Sequence, residues 1–115
     1  MKKFKISGDS MNPLFEDGQF VVGNTLFDFD QLKKFDIIVY EFNGQHFCHY
    51  LWKKFNNFET QERDIVQTRP LNPVWDYDDY IAKDKIVAVV VNKKISKMRQ
   101  LYIEFISLFV GKGKV

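Results

Sequence analysis

At 115 residues the chain can bury one modest core, and its 45% hydrophobic content is that of a globular protein rather than a disordered one. A net charge of +2 is too small to mark a nucleic-acid binder. The single cysteine, Cys48, excludes an internal disulfide framework and a cysteine-based zinc site.

In chain order, Met1-Lys2-Lys3-Phe4-Lys5 leads into a short strand and then turns polar, with no apolar run behind the lysines. The expectation is therefore no signal peptide and no N-terminal anchor. Nothing elsewhere approaches the roughly 20 apolar residues that span a bilayer. The longest apolar run, Leu101 to Val110, contains Glu104. A cytoplasmic protein is expected, peripheral to a membrane at most, with no cofactor and no metal.

The polar stretch Ser7-Gly8-Asp9-Ser10-Met11-Asn12-Pro13 follows the first strand. Glu16-Asp17-Gly18 signals a turn before a strand at Gln19-Phe20-Val21-Val22. Two apolar runs, Asp36–Phe42 and Gln45–Trp52, are separated by Asn43-Gly44, the preferred loop of a type I′ hairpin because both positions need positive φ. That loop predicts a register in which Phe42 faces Gln45, Tyr40 faces Phe47 and Ile38 faces His49. Alternation then places Ile38, Tyr40, Phe47, His49 and Leu51 on one face, with His46 and Cys48 on the other.

Ile65–Thr68 and Ile86–Val91 read as further strands, and Arg69–Tyr80 as a loop. From Ser96 the period changes. Met98, Leu101, Tyr102, Phe105, Leu108 and Phe109 fall at helical spacing as the expected core-facing stripe, with Gly111 as the stop. The fold class expected is mainly β, with short antiparallel strands over residues 1–95 and a C-terminal helix and basic tail over 96–115.

A serine hydroxyl is a poor nucleophile until a base takes its proton. On a glycine-assisted turn it can present its oxygen together with backbone N–H groups that stabilise an oxyanion. Spacing alone leaves open a plain surface turn with a buried methionine. His49 suits a base, since histidine titrates near neutrality without help.

Gly8-Asp9-Ser10-Met11-Asn12-Pro13 resembles the serine box of the signal peptidases and the LexA-type self-cleaving repressors, and Asp17-Gly18-Gln19-Phe20-Val21-Val22 resembles the turn and strand that follow it. Phe35-Asp36-Ile37-Ile38-Val39-Tyr40 is similar to the second box, with Phe35 where glycine is usual. Phe47-Cys48-His49-Tyr50-Leu51-Trp52 is similar to the returning strand of the histidine-using, endoplasmic-reticulum-type branch, with Tyr50 where arginine is usual. Lys53 and Lys54 lie too close to be the lysine of the other branch without a shift of register.

The resemblance, over roughly residues 4 to 91, implies a small, coiled, barrel-like serine peptidase core with Ser10 as nucleophile and His49 as general base. Thr68 to Asp79 stands where the third box is expected, with Pro70-Leu71 replacing Gly-Asp. Asp76 or Asp78 is then the implied partner orienting His49. The implied substrate is an extended peptide added beside the catalytic strand, with small side chains before the cut. Asp9, Met11, Ile38, Tyr40 and Phe47 are the candidate substrate-binding residues.

A soluble endopeptidase processing a small precursor or leader peptide is the favoured function. A catalytically silent domain of the same fold, binding a peptide or partner protein, is the alternative. A small nucleic-acid-binding barrel ranks last because the charges are scattered. Lys93, Lys94, Lys97 and Arg99 precede the apolar helix, and Lys112 and Lys114 follow it. The helix either packs over the core or lies on an anionic membrane or a partner protein.

Overall fold

The computed structural model describes residues 1–55, 65–71 and 79–113, with side chains through Leu108 in the last helix. It is mainly β. Seven strands, β1 (Lys2–Lys5), β2 (Phe20–Asn24), β3 (Ile37–Phe42), β4 (Gln45–Phe55), β5 (Ile65–Arg69), β6 (Asp79–Ala82) and β7 (Ile86–Val90), are followed by the helix α1 (Lys97–Gly113). All pair antiparallel in one sheet of order β1-β2-β7-β3-β4-β5-β6. Just past β1, Ile6 forms a parallel bridge to His46 of β4, which curls the first five strands of that order into a small barrel.

The hairpin forms in the register that Asn43-Gly44 predicts, with Ile38 opposite His49, Tyr40 opposite Phe47 and Phe42 opposite Gln45. Asn43 and Gly44 have φ of 52° and 77°, the positive values a type I′ loop needs. Strand alternation then splits the apolar residues between two cores. Inside the barrel, Phe4, Ile6, Val21, Val39, Cys48, Tyr50 and Ala88 pack around Met11 and Phe15. On the outer face, Ile38 and Leu51 pack with Val66, Ile86, Phe29 and Leu32.

Three expectations change. Asp79 and Tyr80, read as loop, open strand β6, paired with β5 through Thr68↔Asp79 and Val66↔Ile81. The helix is turned round: Ile103 is the buried side chain, at 1% exposure, while Met98, Leu101, Tyr102, Phe105 and Leu108 face outward. Arg69 Nη1 donates to Ser107 Oγ at 2.9 Å and Lys34 pairs with Glu104 at 3.1 Å, so polar contacts from the sheet side set this orientation. The helix also runs through Gly111 to Gly113, because nothing at Gly111 forces a left-handed residue.

Candidate active site

The serine turn is a closed loop between β1 and β2, tied at its neck. Ile6 donates to the Gln19 carbonyl at 3.0 Å and Gly18 to the Ile6 carbonyl at 2.7 Å. Within it, Gly8 N donates to Asp17 Oδ1 at 2.7 Å and Asp17 N to Asp9 Oδ1 at 2.9 Å. Gly8, at φ 87°, makes the bend that brings these groups together. Met11 and Phe15, at 1% and 2% exposure, pin the loop into the barrel. Burial of side chains of this size stabilises the loop by roughly 1.5–3 kcal/mol each.

The loop lies along an edge of β4 that β5 leaves open. β5 pairs with β4 only from Tyr50 onward. Ahead of that point, Ser7 N donates to the His46 carbonyl at 2.8 Å, and Ser10 Oγ donates to the Cys48 carbonyl at 3.1 Å. Ser10 is held from its other side as well, its own carbonyl accepting from Leu71 N at 2.7 Å. The hydroxyl thus rests on the carbonyl that is peptide-bonded to His49, and its described hydrogen bond goes to backbone rather than to the imidazole.

His49 is 7% exposed. Its Nδ1 lies 3.1 Å from Thr68 Oγ1 and 3.7 Å from Asp79 Oδ2. Thr68, fully buried, commits its one hydroxyl proton to the Asp79 carbonyl at 3.2 Å. It can therefore only accept from the ring, and the Asp79 carboxylate can only accept as well. Both neighbours demand a proton on Nδ1, so the neutral ring carries its lone pair on Nε2. That is the tautomer of a general base, set here by Thr68 and Asp79. Tyr40 contacts the ring edge-on, with centroids 5.5 Å apart.

Cys48 is no rival nucleophile. Burial pushes its thiol well above the ordinary range, which leaves it protonated at neutral pH. The Tyr40 phenol is raised too, by burial first and then by the charge on Asp79 and by Cys48, so it stays a hydrogen-bond donor.

Beyond His49 the same face opens into a cavity of about 420 Å³, lined by Tyr40, Phe42, Phe47, Asp79, Tyr80 and Ile81. Among the expected substrate residues, Tyr40 and Phe47 line it. Met11 and Ile38 are at 1% and 0% exposure within the two cores, a place for packing that leaves no surface for a substrate. Asp9 is bound into the turn. Asp76 and Asp78 lie outside the described residues. Thr68 and Asp79 are the site residues the sequence reading passed over. The signal for them was the strand alternation of β5, which puts Thr68 on the His49 side.

Among the described residues, no group of three or more His, Cys, Asp or Glu could hold a metal ion, and no helix is long and apolar enough to cross a membrane. Comparison with protein-family models, curated proteins and solved structures finds no match.

Proposed function

We propose that this chain is a serine endopeptidase of the signal-peptidase and LexA-type superfamily, with Ser10 as nucleophile and His49 as general base. The observation that carries the reading is the Asp79–Thr68–His49 chain. It orients a nearly buried imidazole with its basic nitrogen directed away from the carboxylate, on the strand whose edge holds Ser10. The reading requires Ser10 Oγ to leave the Cys48 carbonyl and turn to the imidazole, a change of side-chain rotamer. His49 then takes the hydroxyl proton as Oγ attacks the scissile carbonyl, and returns it to the leaving amine. Asp79, through Nδ1, stabilises the imidazolium formed between these steps.

The substrate in this reading is an extended segment of a precursor or leader peptide. The aromatic cavity beside His49 takes a bulky apolar side chain from it, in contrast to the small residues the family resemblance implies. The reading sets the protein in the cytoplasm, a reducing compartment that suits the buried free thiol of Cys48.

Digestion of a peptide library by wild type, Ser10→Ala and His49→Ala, read by mass spectrometry, tests it. Wild-type cleavage next to large apolar residues, lost in both variants, supports the reading. Equal inertness of all three proteins favours a silent peptide-binding domain, for which the Ser10 hydrogen bond to backbone speaks.

A further inference from the structure

The helix α1 presents an apolar stripe to solvent although it has a core to pack against. At 100° per residue, Met98, Leu101, Tyr102, Phe105 and Leu108 fall within an arc of about 120°, and Ile103 points nearly opposite. Their exposures run from 51% to 82%, so the stripe is a continuous apolar surface rather than scattered side chains.

Beside this stripe, at the start of the helix, lies a cleft of about 550 Å³. Lys33 and Lys34 line one wall, and Lys93, Lys94 and Lys97 the other; Asp36 is the one carboxylate among the described lining residues. Asp36 is taken by Lys33 at 3.0 Å, and Lys34 reaches Glu104 at 3.1 Å. Lys93, Lys94, Lys97 and Arg99 form no ion pair among the described residues. Lys97 belongs to both features, standing at the border of the apolar arc.

We propose that the outward face of α1 and this lysine cleft form one docking surface for an anionic phospholipid bilayer. The apolar stripe enters the interfacial region, and the lysines hold headgroup phosphates at the depth where those phosphates lie. Charge complementarity selects this occupant. A second copy of the chain would bring a second set of uncompensated lysines against the first. A neutral surface would leave them unanswered. The proposal stands apart from the peptidase reading, since it uses none of the residues of that site.

The test is co-sedimentation of the full chain with vesicles of phosphatidylcholine mixed with phosphatidylglycerol, and with vesicles of phosphatidylcholine alone. Binding to the mixed vesicles is expected, weakening as salt is raised, with little binding to the neutral ones. Lys94→Gln combined with Lys97→Gln should weaken binding roughly 25-fold, about fivefold for each lysine. Leu101→Glu combined with Leu108→Glu should abolish it while circular dichroism shows an unchanged fold, as both side chains are exposed.

Failure to pellet with the anionic vesicles, equal binding to neutral ones, or indifference to both double variants overturns the proposal. So does a dimer in sedimentation velocity that Leu101→Glu disperses, which would assign the face to a second copy.

Discussion

Replacing Thr68 with valine removes one hydroxyl and little else, since the two side chains are nearly the same shape. Thr68 is wholly buried and joins two groups: it accepts from His49 Nδ1 at 3.1 Å and donates to the Asp79 carbonyl at 3.2 Å. With the hydroxyl gone, the Nδ1 proton keeps, among its described contacts, the carboxylate at 3.7 Å, beyond good hydrogen-bond length, and the Asp79 carbonyl loses a donor. Leaving a buried polar group unsatisfied costs about 1–3 kcal/mol. Each of the two groups loses its hydrogen bond to Thr68, the carbonyl in a part-buried setting, so Thr68→Val should cost about 2–3 kcal/mol in unfolding free energy. At about 4 °C per kcal/mol for a domain of this size, the melting temperature should fall by roughly 8–12 °C.

Nitrogen-15 NMR of the imidazole supplies a second readout that needs no substrate. Wild type should show a protonated Nδ1 in the neutral ring, and Thr68→Val a mixture of tautomers. Thr68→Ser should restore most of both properties. A Thr68→Val protein within 0.5 kcal/mol of wild type, or one with its tautomer unchanged, would refute the argument that Thr68 sets the ring.

Three further expectations concern the frame around the site. Phe35 has φ of 75°, at the position where the family resemblance expects glycine, and is held there by ring contacts to Tyr50 and Trp52. The left-handed conformation costs about 1–2 kcal/mol for a residue with a Cβ. Phe35→Gly should therefore be more stable than Phe35→Ala by about 1 kcal/mol in urea denaturation, the reverse of the order in ordinary strand. At Gly23 an added Cβ would meet the Cβ of Ala88 at 2.7 Å and the Phe4 ring at 3.2 Å. Gly23→Ala should cost about 1–3 kcal/mol, part of it recovered by adding Ala88→Gly, as thermal melts of the two variants will show. The third expectation is a pH dependence: burial lets folded Cys48 keep its proton after the unfolded chain has lost it, so its stabilisation is full below about pH 9 and is lost as pH rises. Above that pH it should contribute a falling slope of up to about 1.4 kcal/mol per unit, which Cys48→Ala should remove from a pH series of denaturation curves.

Local chemistry made much of this fold readable. Asn43-Gly44 strongly favours one loop geometry, and that geometry set the register placing His49 opposite Ile38. Met11 was expected to touch substrate, and its burial in the barrel instead matches the plain-turn alternative. The site partners were harder. Thr68 comes beside His49 because β5 pairs with β4, and Asp79 because β6 returns along β5; alternation gives Thr68 its face, but neither pairing is announced by a short-range pattern. The aspartates preceding Asp79 made the region look like a solvated loop. The helix was misoriented for a different reason. Its residues are apolar nearly all round, so periodicity finds a stripe without saying which side the core takes. The buried Ile103, with Arg69 and Lys34 tying down polar residues nearby, outweighed five apolar side chains on the opposite face. The sheet could not have specified those ties from sequence, because they join residues about seventy and about forty positions apart.

The central claim is that His49 activates Ser10. It is tested most directly by the rate at which a serine-directed acylating probe labels the intact protein, with the site mapped by mass spectrometry. Labelling confined to Ser10, and slowed roughly 100- to 10,000-fold by His49→Ala, is the expected result. Labelling that is absent, scattered over several serines, or unchanged by His49→Ala would contradict it.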